Sequence, residues 1–300
     1  MRAAASVAAP AKVNLFLRVL HRRADGFHEL DTLFQAVSLH DDVRVELGAS
    51  VGAASGIELR VNGPDLGPVE DNLAYRAAAR LREVAGVDDP VRIELTKRIP
   101  AGAGLGGGSS DAAAVLKCLA ALTGFSDTAA LHAAAAELGS DVPFFLGRSA
   151  LSRGSGRGEV LSELAPLPEA VLVLALPEVH VATGGAYAAL AAHRGTGGAV
   201  TPAPDDGFRT WDAVAAAASN DFEAVVASKH PEIEACLAGL RQRGARFALL
   251  SGSGAASFGV FDDTEHARAA ASWLSGHHGF PFVPVTTLGA MPVPRVEQSS

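Results

Sequence analysis

The chain has 300 residues, 48% of them hydrophobic, which is enough for a sizeable core and predicts two domains. Its net charge of −8 disfavours nucleic acid or an anionic membrane as the main partner, and no apolar run approaches the length of a membrane-spanning helix. Two cysteines far apart in sequence support neither a disulfide framework nor a cysteine-based metal site, so we expect a cytoplasmic protein.

The first predicted strand covers residues 11–20, where apolar and polar side chains alternate. Lys12 and Asn14 share the polar side, about 7 Å apart. Because only four of the 25 basic residues are lysines, a lysine inside a strand indicates a need for a compact ammonium group. The alternative is the exposed polar face of an edge strand, and this segment alone does not decide between them.

A turn over residues 23–26 leads directly into Phe27 and His28, ahead of a second strand over residues 30–37. An aromatic ring beside a histidine at a loop tip is able to stack on a planar ligand and to hydrogen-bond its edge. The pattern then continues with antiparallel strands at residues 43–47 and 57–61 and a helix over residues 74–84.

A glycine-rich loop follows residues 97–100 and leads into a helix over residues 112–122. Its five glycines reach positive φ without a side-chain clash, so several N–H groups are able to point at one anion. The helix start adds further free donors and a partial positive charge. The loop therefore predicts a phosphate site.

Three better-known phosphate loops fit this loop less well. Gly102, Gly104 and Gly107 match the dinucleotide pattern G-x-G-x-x-G, but the half-exposed strand at residues 91–95 does not run straight into the glycines. A Walker A loop requires Lys where Gly108 stands, and a protein-kinase loop requires Val where Ser109 stands.

Beyond the loop, a helix over residues 128–138 ends at Gly139, and Pro143 predicts an extended or turning backbone over residues 140–143, because the residue before a proline avoids the α region. From the residues alone, Asp141 is slightly favoured as a helix cap. Glycines near residue 156 predict a domain boundary, giving domains 1–156 and 157–300. The second half predicts strands at residues 171–176, 246–250, 257–261 and 282–288, helices at 183–192, 231–243 and 264–274 with a helical stretch opening at 220–223, a mobile loop at 194–209 and a disordered tail at 289–300.

Several stretches together resemble the GHMP kinases, which phosphorylate small molecules. They are Pro10-Ala-Lys-Val-Asn-Leu-Phe-Leu, Arg23-Ala-Asp-Gly-Phe-His, Pro100-Ala-Gly-Ala-Gly-Leu-Gly-Gly-Gly-Ser-Ser, Gly139-Ser-Asp-Val-Pro-Phe-Phe, Asn220-Asp-Phe-Glu and Ser251-Gly-Ser-Gly. The resemblance spans nearly the full chain and implies an α+β fold with the two-domain GHMP kinase architecture, whose N-terminal domain is of a kind also found in a ribosomal protein. The strand with Lys12 and Asn14 and the segment 24–28 narrow it to the branch that acts on 4-diphosphocytidyl-2-C-methyl-D-erythritol in the non-mevalonate isoprenoid pathway.

The resemblance also implies the role of each site residue. Asp141 matches the base that accepts the proton of the acceptor's 2-hydroxyl, and Lys12 matches the group that holds that hydroxyl. Phe27, His28 and Tyr187 match the cytosine pocket, with Asn14 and Thr183 near the methylerythritol portion. Further substrate contacts are implied for Gly252 and Ser253, Mg²⁺ binding for Ser110, and ATP binding for Pro100, Ala101, Gly102, Ala103, Gly104, Leu105, Gly106, Gly107, Gly108, Ser109 and Ser110.

The sequence departs from the family at a few positions. Phe27 stands where relatives often carry Tyr, which keeps a stacking face and removes a hydroxyl, and Ser251 and Ser253 stand where Thr is frequent. Two alternatives stay open: another kinase of the superfamily acting on homoserine, mevalonate or a sugar, or a non-catalytic module that binds nucleotide or RNA. We expect a monomer or weak homodimer that binds no nucleic acid.

Overall fold

The computed structural model of the chain describes residues 3–195, 200–203 and 207–297. A seven-stranded sheet dominates the first half of the chain. Its strands are β1 (Ala3–Arg22), β2 (His28–Leu47), β3 (Ile57–Asn62), β4 (Val91–Thr96), β5 (Leu151–Ser155), β6 (Val160–Glu163) and, from the end of the chain, β11 (Arg295–Glu297). Four helices accompany it, α1 (Leu73–Ala85), α2 (Gly107–Thr123), α3 (Thr128–Leu138) and α4 (Val142–Leu146), with a 3-10 turn at Val69–Asp71.

A four-stranded sheet forms the second half, in the order β10-β7-β9-β8. Its strands are β7 (Val171–Ala175), β8 (Phe247–Leu250), β9 (Ser257–Phe261) and β10 (Phe282–Thr286). The helices of this half are α5 (Thr183–Arg194), α6 (Trp211–Ala217), α7 (Glu223–Ala227), α8 (Pro231–Gln242) and α9 (Thr264–His278).

Three hydrophobic clusters join these elements. The first lies between the seven-stranded sheet and α1–α4. The second lies between the four-stranded sheet and α5 and α7–α9, and the third lies between the two sheets. Val13 and Leu15 of β1 belong to the third cluster together with Leu172 and Leu174 of β7. Burying this apolar area is what fixes the two halves against each other.

Local capping agrees with the predicted helix bounds at several ends. The Asn72 side chain accepts the N–H of Ala74 at the start of α1, Asp127 accepts the N–H of Ala130 at the start of α3, and Gly86 and Gly124 close α1 and α2 in left-handed conformations. The helix over residues 128–138 and the hairpin of β8 and β9 are confirmed.

Other expectations need correction. The interpretation of β1 as an exposed edge is wrong, since Lys12 and Asn14 are buried. β3 pairs with β4 in parallel, not antiparallel, because α1 provides the crossover connection between them. In the tail predicted to be disordered at residues 289–300, residues 295–297 form β11 and pair with β1, whereas residues 298–300 lie outside the described residues.

Two further expectations concern loops and boundaries. The predicted domain boundary between residues 156 and 157 lies in the turn between β5 and β6, which both belong to the seven-stranded sheet, and the division into domains 1–156 and 157–300 stays a prediction. Residues 196–199 and 204–206 of the predicted mobile loop lie outside the described residues, but Ala203 and Phe208 of the same segment are buried.

Candidate functional site

The glycine loop ends in a helix that starts earlier than predicted. α2 begins at Gly107 because Gly106, at φ 73°, caps it in a left-handed conformation. A Cβ atom on Gly106 would lie 2.9 Å from the Phe145 ring, and one on Gly104 would lie 2.1 Å from the backbone oxygen of Ser251. These glycines are therefore required for close packing as well as for backbone conformation.

A second glycine turn, residues 251–254, closes against this loop. The Ser251 hydroxyl donates to the Gly104 oxygen at 3.0 Å, and the N–H of Ala256 donates to the Ala103 oxygen at 3.0 Å. The Asn220 amide donates to the oxygens of Leu250 and Gly252, at 2.8 Å each. The turn is thereby held in place from both halves of the chain.

Two cavities meet at the glycine loop, and both are lined by Gly104 and Gly106. The larger, of about 540 Å³, is called the acceptor cavity here. It contains every predicted catalytic and substrate-binding residue, namely Lys12, Asn14, Phe27, His28, Asp141, Thr183, Tyr187, Gly252 and Ser253.

The smaller cavity, of about 330 Å³, is called the donor cavity. Nine of the eleven residues predicted to bind ATP line it, from Pro100 to Ser109 without Leu105. The Leu105 side chain belongs to the core, and its backbone oxygen accepts the N–H of Lys12 at 2.9 Å. Ser110 borders neither cavity, and its buried Oγ has no hydrogen-bond partner among the described residues.

Lys12 and Asp141 converge at the junction of the cavities. The Lys12 Nζ atom lies 3.4 Å from Asp141 Oδ2 and donates to Asn14 Oδ1 at 2.8 Å. Asn14 is fixed in turn, because its Oδ1 accepts the N–H of Gly252 at 3.0 Å and its Nδ2 donates to Thr32 Oγ1 at 2.8 Å. A buried ammonium is thus paired with a carboxylate whose side chain is 30% exposed.

The backbone around Asp141 differs from the prediction. Val142 starts α4 with Pro143 in its first turn, and Asp141 precedes it in a helical conformation without a side-chain capping bond. Proline is tolerated at this position because its missing N–H would be unpaired there anyway. The capping interpretation of Asp141 is therefore wrong, and its carboxylate is directed to Lys12 instead.

Aromatic side chains occupy the outer end of the acceptor cavity. His28 stacks on Tyr187 with ring centroids 4.6 Å apart, and Tyr187 meets Phe222 edge-on at 4.8 Å. Phe27 is 53% exposed. One face of Tyr187 is covered by His28, whereas the Phe27 ring, with Arg157 over it, is more than half exposed and is the more open stacking surface.

Burial and nearby charges shift the pKa values of His28 and Tyr187 at the outer end of this cavity. Burial, followed by repulsion from Arg22 and Arg194, lowers the pKa of His28 below its usual value. Burial, followed by the nearby Asp141 carboxylate, raises the pKa of Tyr187 to about 12. Both rings are therefore neutral at pH 7 and offer hydrogen bonds without charge.

Three charged residues missed by the sequence reasoning lie at the donor cavity, which Lys97 and Asp111 line and behind which Asp41 is buried. Lys97 Nζ donates to Asp111 Oδ2 at 2.7 Å and to Asp41, whose other oxygen accepts the N–H of Ile99 at 2.8 Å. Burial, with the nearby Asp41 charge adding to it, raises the pKa of Asp111 to about 7 despite Lys97. Burial alone would lower the pKa of Lys97, but attraction to the two carboxylates outweighs it and raises that pKa.

The sequence did carry one signal for this cluster. Lys97 is one of the four lysines and stands directly before the glycine loop. The spacing of Asp41, Lys97 and Asp111 offers no local pattern, since 56 residues separate Lys97 from Asp41.

Among the described residues, no group of three or more His, Cys, Asp or Glu side chains is arranged to hold a metal ion. In the same described ranges, no helix is long and apolar enough to cross a membrane.

Family models match both halves of the chain. The GHMP kinase N-terminal domain matches residues 72–148, and the GHMP kinase C-terminal domain matches residues 206–278.

Relatives and solved structures extend the similarity over nearly the whole chain. A 4-diphosphocytidyl-2-C-methyl-D-erythritol kinase of Pelotomaculum thermopropionicum is 44% identical over 88% of this chain and 91% of its own, and one of Anaeromyxobacter sp. strain K is 44% identical over 89% and 84%. A crystal structure of 4-(cytidine 5'-diphospho)-2C-methyl-D-erythritol kinase is 41% identical, covers 95% of this chain and 99% of its own, and superimposes with a TM-score of 0.79. Homoserine kinase from Cytophaga hutchinsonii, at 18% identity over 98% of this chain and 97% of its own with a TM-score of 0.71, shares the fold.

The pKa of Asp111 predicts a pH dependence of stability. Because folding raises this pKa from 3.8 to about 7, the folded state retains a proton that the unfolded state has released between these values. The stabilisation of the folded state by this proton on Asp111 is complete below about pH 4 and is lost as pH rises through 7. Relative to Asp111→Asn, the wild type should lose about 1 to 4 kcal/mol of unfolding free energy over this interval, measured by urea denaturation.

An exposed carboxylate provides the control for this measurement. Asp88→Asn should leave the pH profile of the wild type unchanged, because Asp88 is exposed. Parallel profiles for the wild type and Asp111→Asn would contradict the raised pKa.

Proposed function

The chain belongs to the GHMP kinase family, and we propose that it transfers the γ-phosphate of ATP to the 2-hydroxyl of 4-diphosphocytidyl-2-C-methyl-D-erythritol, giving the 2-phosphate and ADP. This reaction belongs to the non-mevalonate route to isoprenoid precursors. The observation that carries the proposal is the Lys12–Asp141 pair at the junction of two cavities, 3.4 Å apart, with an aromatic and histidine cluster at the far end of one of them.

The donor cavity is the proposed binding site for ATP. The protein is an ATP-dependent small-molecule kinase, and the glycine loop with the start of α2 offers backbone N–H groups and a helix dipole to the phosphates. Phosphoryl transfer depends on positioning and on stabilising negative charge, both of which this loop supplies.

Asp141 is proposed as the general base. As the hydroxyl oxygen bonds to the γ-phosphorus and the bond to ADP breaks, the carboxylate accepts the hydroxyl proton. Lys12 Nζ lies beside that carboxylate and stabilises the negative charge that develops on the hydroxyl oxygen. Asn14 keeps the ammonium aimed at this point through its 2.8 Å hydrogen bond.

Mg²⁺ is proposed as the partner of ATP, with Ser110 as its protein ligand. Ser110 itself lines neither cavity, but its neighbours Ser109 and Asp111 line the donor cavity, and its Oγ has no hydrogen-bond partner among the described residues, so it is the oxygen proposed for a hard cation. Such an ion would supply positive charge against the phosphates of ATP. Few protein ligands are needed, because Mg²⁺ commonly keeps several waters and takes most remaining ligands from the phosphates.

The residues at the outer end of the acceptor cavity support a cytidyl compound as the acceptor. Phe27 offers a stacking face for cytosine, and neutral His28 and Tyr187 offer hydrogen-bonding atoms beside it. Thr183 and Ser253, whose hydroxyls are 3.1 Å apart, bridge α5 and the second glycine turn across the cavity. Homoserine or mevalonate has no planar ring to use this end.

A substrate panel tests the proposed reaction. Purified protein with ATP and Mg²⁺ should release ADP in the presence of the cytidyl acceptor and show only background release with homoserine, mevalonate or galactose. ADP release with one of these three and none with the cytidyl acceptor would assign the chain to another kinase of the family. No release above background with any acceptor would refute the proposed activity.

The role of Asp141 is tested separately. Asp141→Asn should lower turnover by about 10² or more, the effect of losing a general base, while the affinity for a nonhydrolysable ATP analogue stays within twofold. Asp262→Asn is the matched control, because Asp262 is exposed and pairs with Arg246 at the surface. Wild-type turnover in Asp141→Asn would contradict the role of Asp141 as base.

A further inference from the structure

The outer end of the acceptor cavity holds a cation that the proposed reaction does not yet use. Arg157 lies in the turn between β5 and β6, and its guanidinium carbon is 4.9 Å from the centroid of the Phe27 ring. We propose that Arg157 binds the diphosphate of the acceptor and so selects an alcohol linked to a nucleoside diphosphate. This inference rests on the proposed function.

The charges of the cavity support this role. Between its base and its alcohol the acceptor carries a diphosphate with two negative charges, and Lys12 and Arg157 are the Lys and Arg side chains among the described lining residues. Lys12 is already engaged by Asn14 and Asp141. Arg157 is paired with Glu159 through Nε, but its two terminal nitrogens make no hydrogen bond to a described residue, so Arg157 is the cation of the described lining that is better able to take an anionic ligand.

His28 does not provide a second positive charge. Burial and the positive charges of Arg22 and Arg194 lower its pKa, so its ring is neutral at pH 7. It is able to hydrogen-bond a base edge, but it does not balance the charge of a diphosphate.

The guanidinium group of Arg157 is open to a ligand. Its Nε atom lies 3.4 Å from Glu159 Oε1, and no hydrogen bond to a described residue is made by either terminal nitrogen. Its side chain is 30% exposed and faces the cavity that Phe27 also lines. A planar guanidinium with two free N–H pairs matches phosphate oxygens in a bidentate geometry.

The backbone holds Arg157 at this end of the cavity. The N–H of Gly156 donates to Glu29 Oε1 at 2.8 Å, and the N–H of Leu30 donates to the Gly156 oxygen at 2.7 Å. Glu29 also accepts from Arg23 at 2.9 Å, on the turn that carries Phe27. The two turns are thus locked together, so the stacking ring and the cation keep a fixed spacing.

The test compares ligands with and without the diphosphate. Binding of cytidine and of cytidine diphosphate is measured by calorimetry, with the donor cavity filled by a saturating nonhydrolysable ATP analogue. Arg157→Gln should reduce the preference for cytidine diphosphate over cytidine at least tenfold and leave the cytidine affinity within twofold. The KM for the full acceptor should rise by a similar factor, with the KM for ATP unchanged.

Two further variants sharpen the result. Arg157→Lys keeps the charge without the planar fork and should fall between the wild type and Arg157→Gln. Arg60→Gln is the control, because Arg60 is an exposed arginine on β3 paired with Glu58. It should match the wild type in every measurement.

The outcomes separate this inference from the proposed function. An equal loss of affinity for cytidine and cytidine diphosphate would mean that Arg157 only supports the stacking surface, and an unchanged preference would remove it from the site. If the wild type is active, either result refutes only the role of Arg157 and leaves the proposed function standing. A wild type that does not phosphorylate the cytidyl acceptor refutes the proposed function itself.

Discussion

The site depends on one buried ammonium group and on what surrounds it. Lys12 is 4% exposed, and burying a charge is costly unless partners replace the lost water. Asn14 and Asp141 are those partners, and they come from opposite ends of the N-terminal half. A carboxylate is thereby held next to a positive charge at the point where the two cavities meet, which is the arrangement that proton removal from an alcohol and transfer of a phosphoryl group require.

The second half of the chain keeps this arrangement in place. The Asn220 amide, just before α7, donates to the oxygens of Leu250 and Gly252, and Gly252 in turn donates its N–H to Asn14, so a line of hydrogen bonds leads from Asn220 to the Lys12 ammonium. The close approach of the second turn to Gly104 leaves no space for a side chain. The two halves are therefore coupled through backbone contacts at the site, in addition to the hydrophobic cluster between the sheets.

Local signals in the sequence predicted the parts of the site that local chemistry determines. Alternation put Lys12 and Asn14 on one side of a strand, and glycine content with a helix start indicated the phosphate loop. The cluster of Lys97, Asp41 and Asp111 and the parallel pairing of β3 depend on contacts distant in sequence, which periodicity does not encode. The prediction that Asp141 acts together with Lys12 came from the resemblance to a family, because the residue patterns alone favoured a capping role for Asp141.

The central claim is that the Lys12 ammonium and the Asp141 carboxylate act together on the acceptor hydroxyl. The most direct measurement is a crystal structure of the protein with a nonhydrolysable ATP analogue and the cytidyl acceptor. We expect the 2-hydroxyl oxygen within about 3.2 Å of both the Asp141 carboxylate and Lys12 Nζ, facing the γ-phosphate above the glycine loop. A hydroxyl bound away from both side chains, with the acceptor correctly seated in its cavity, would contradict this account.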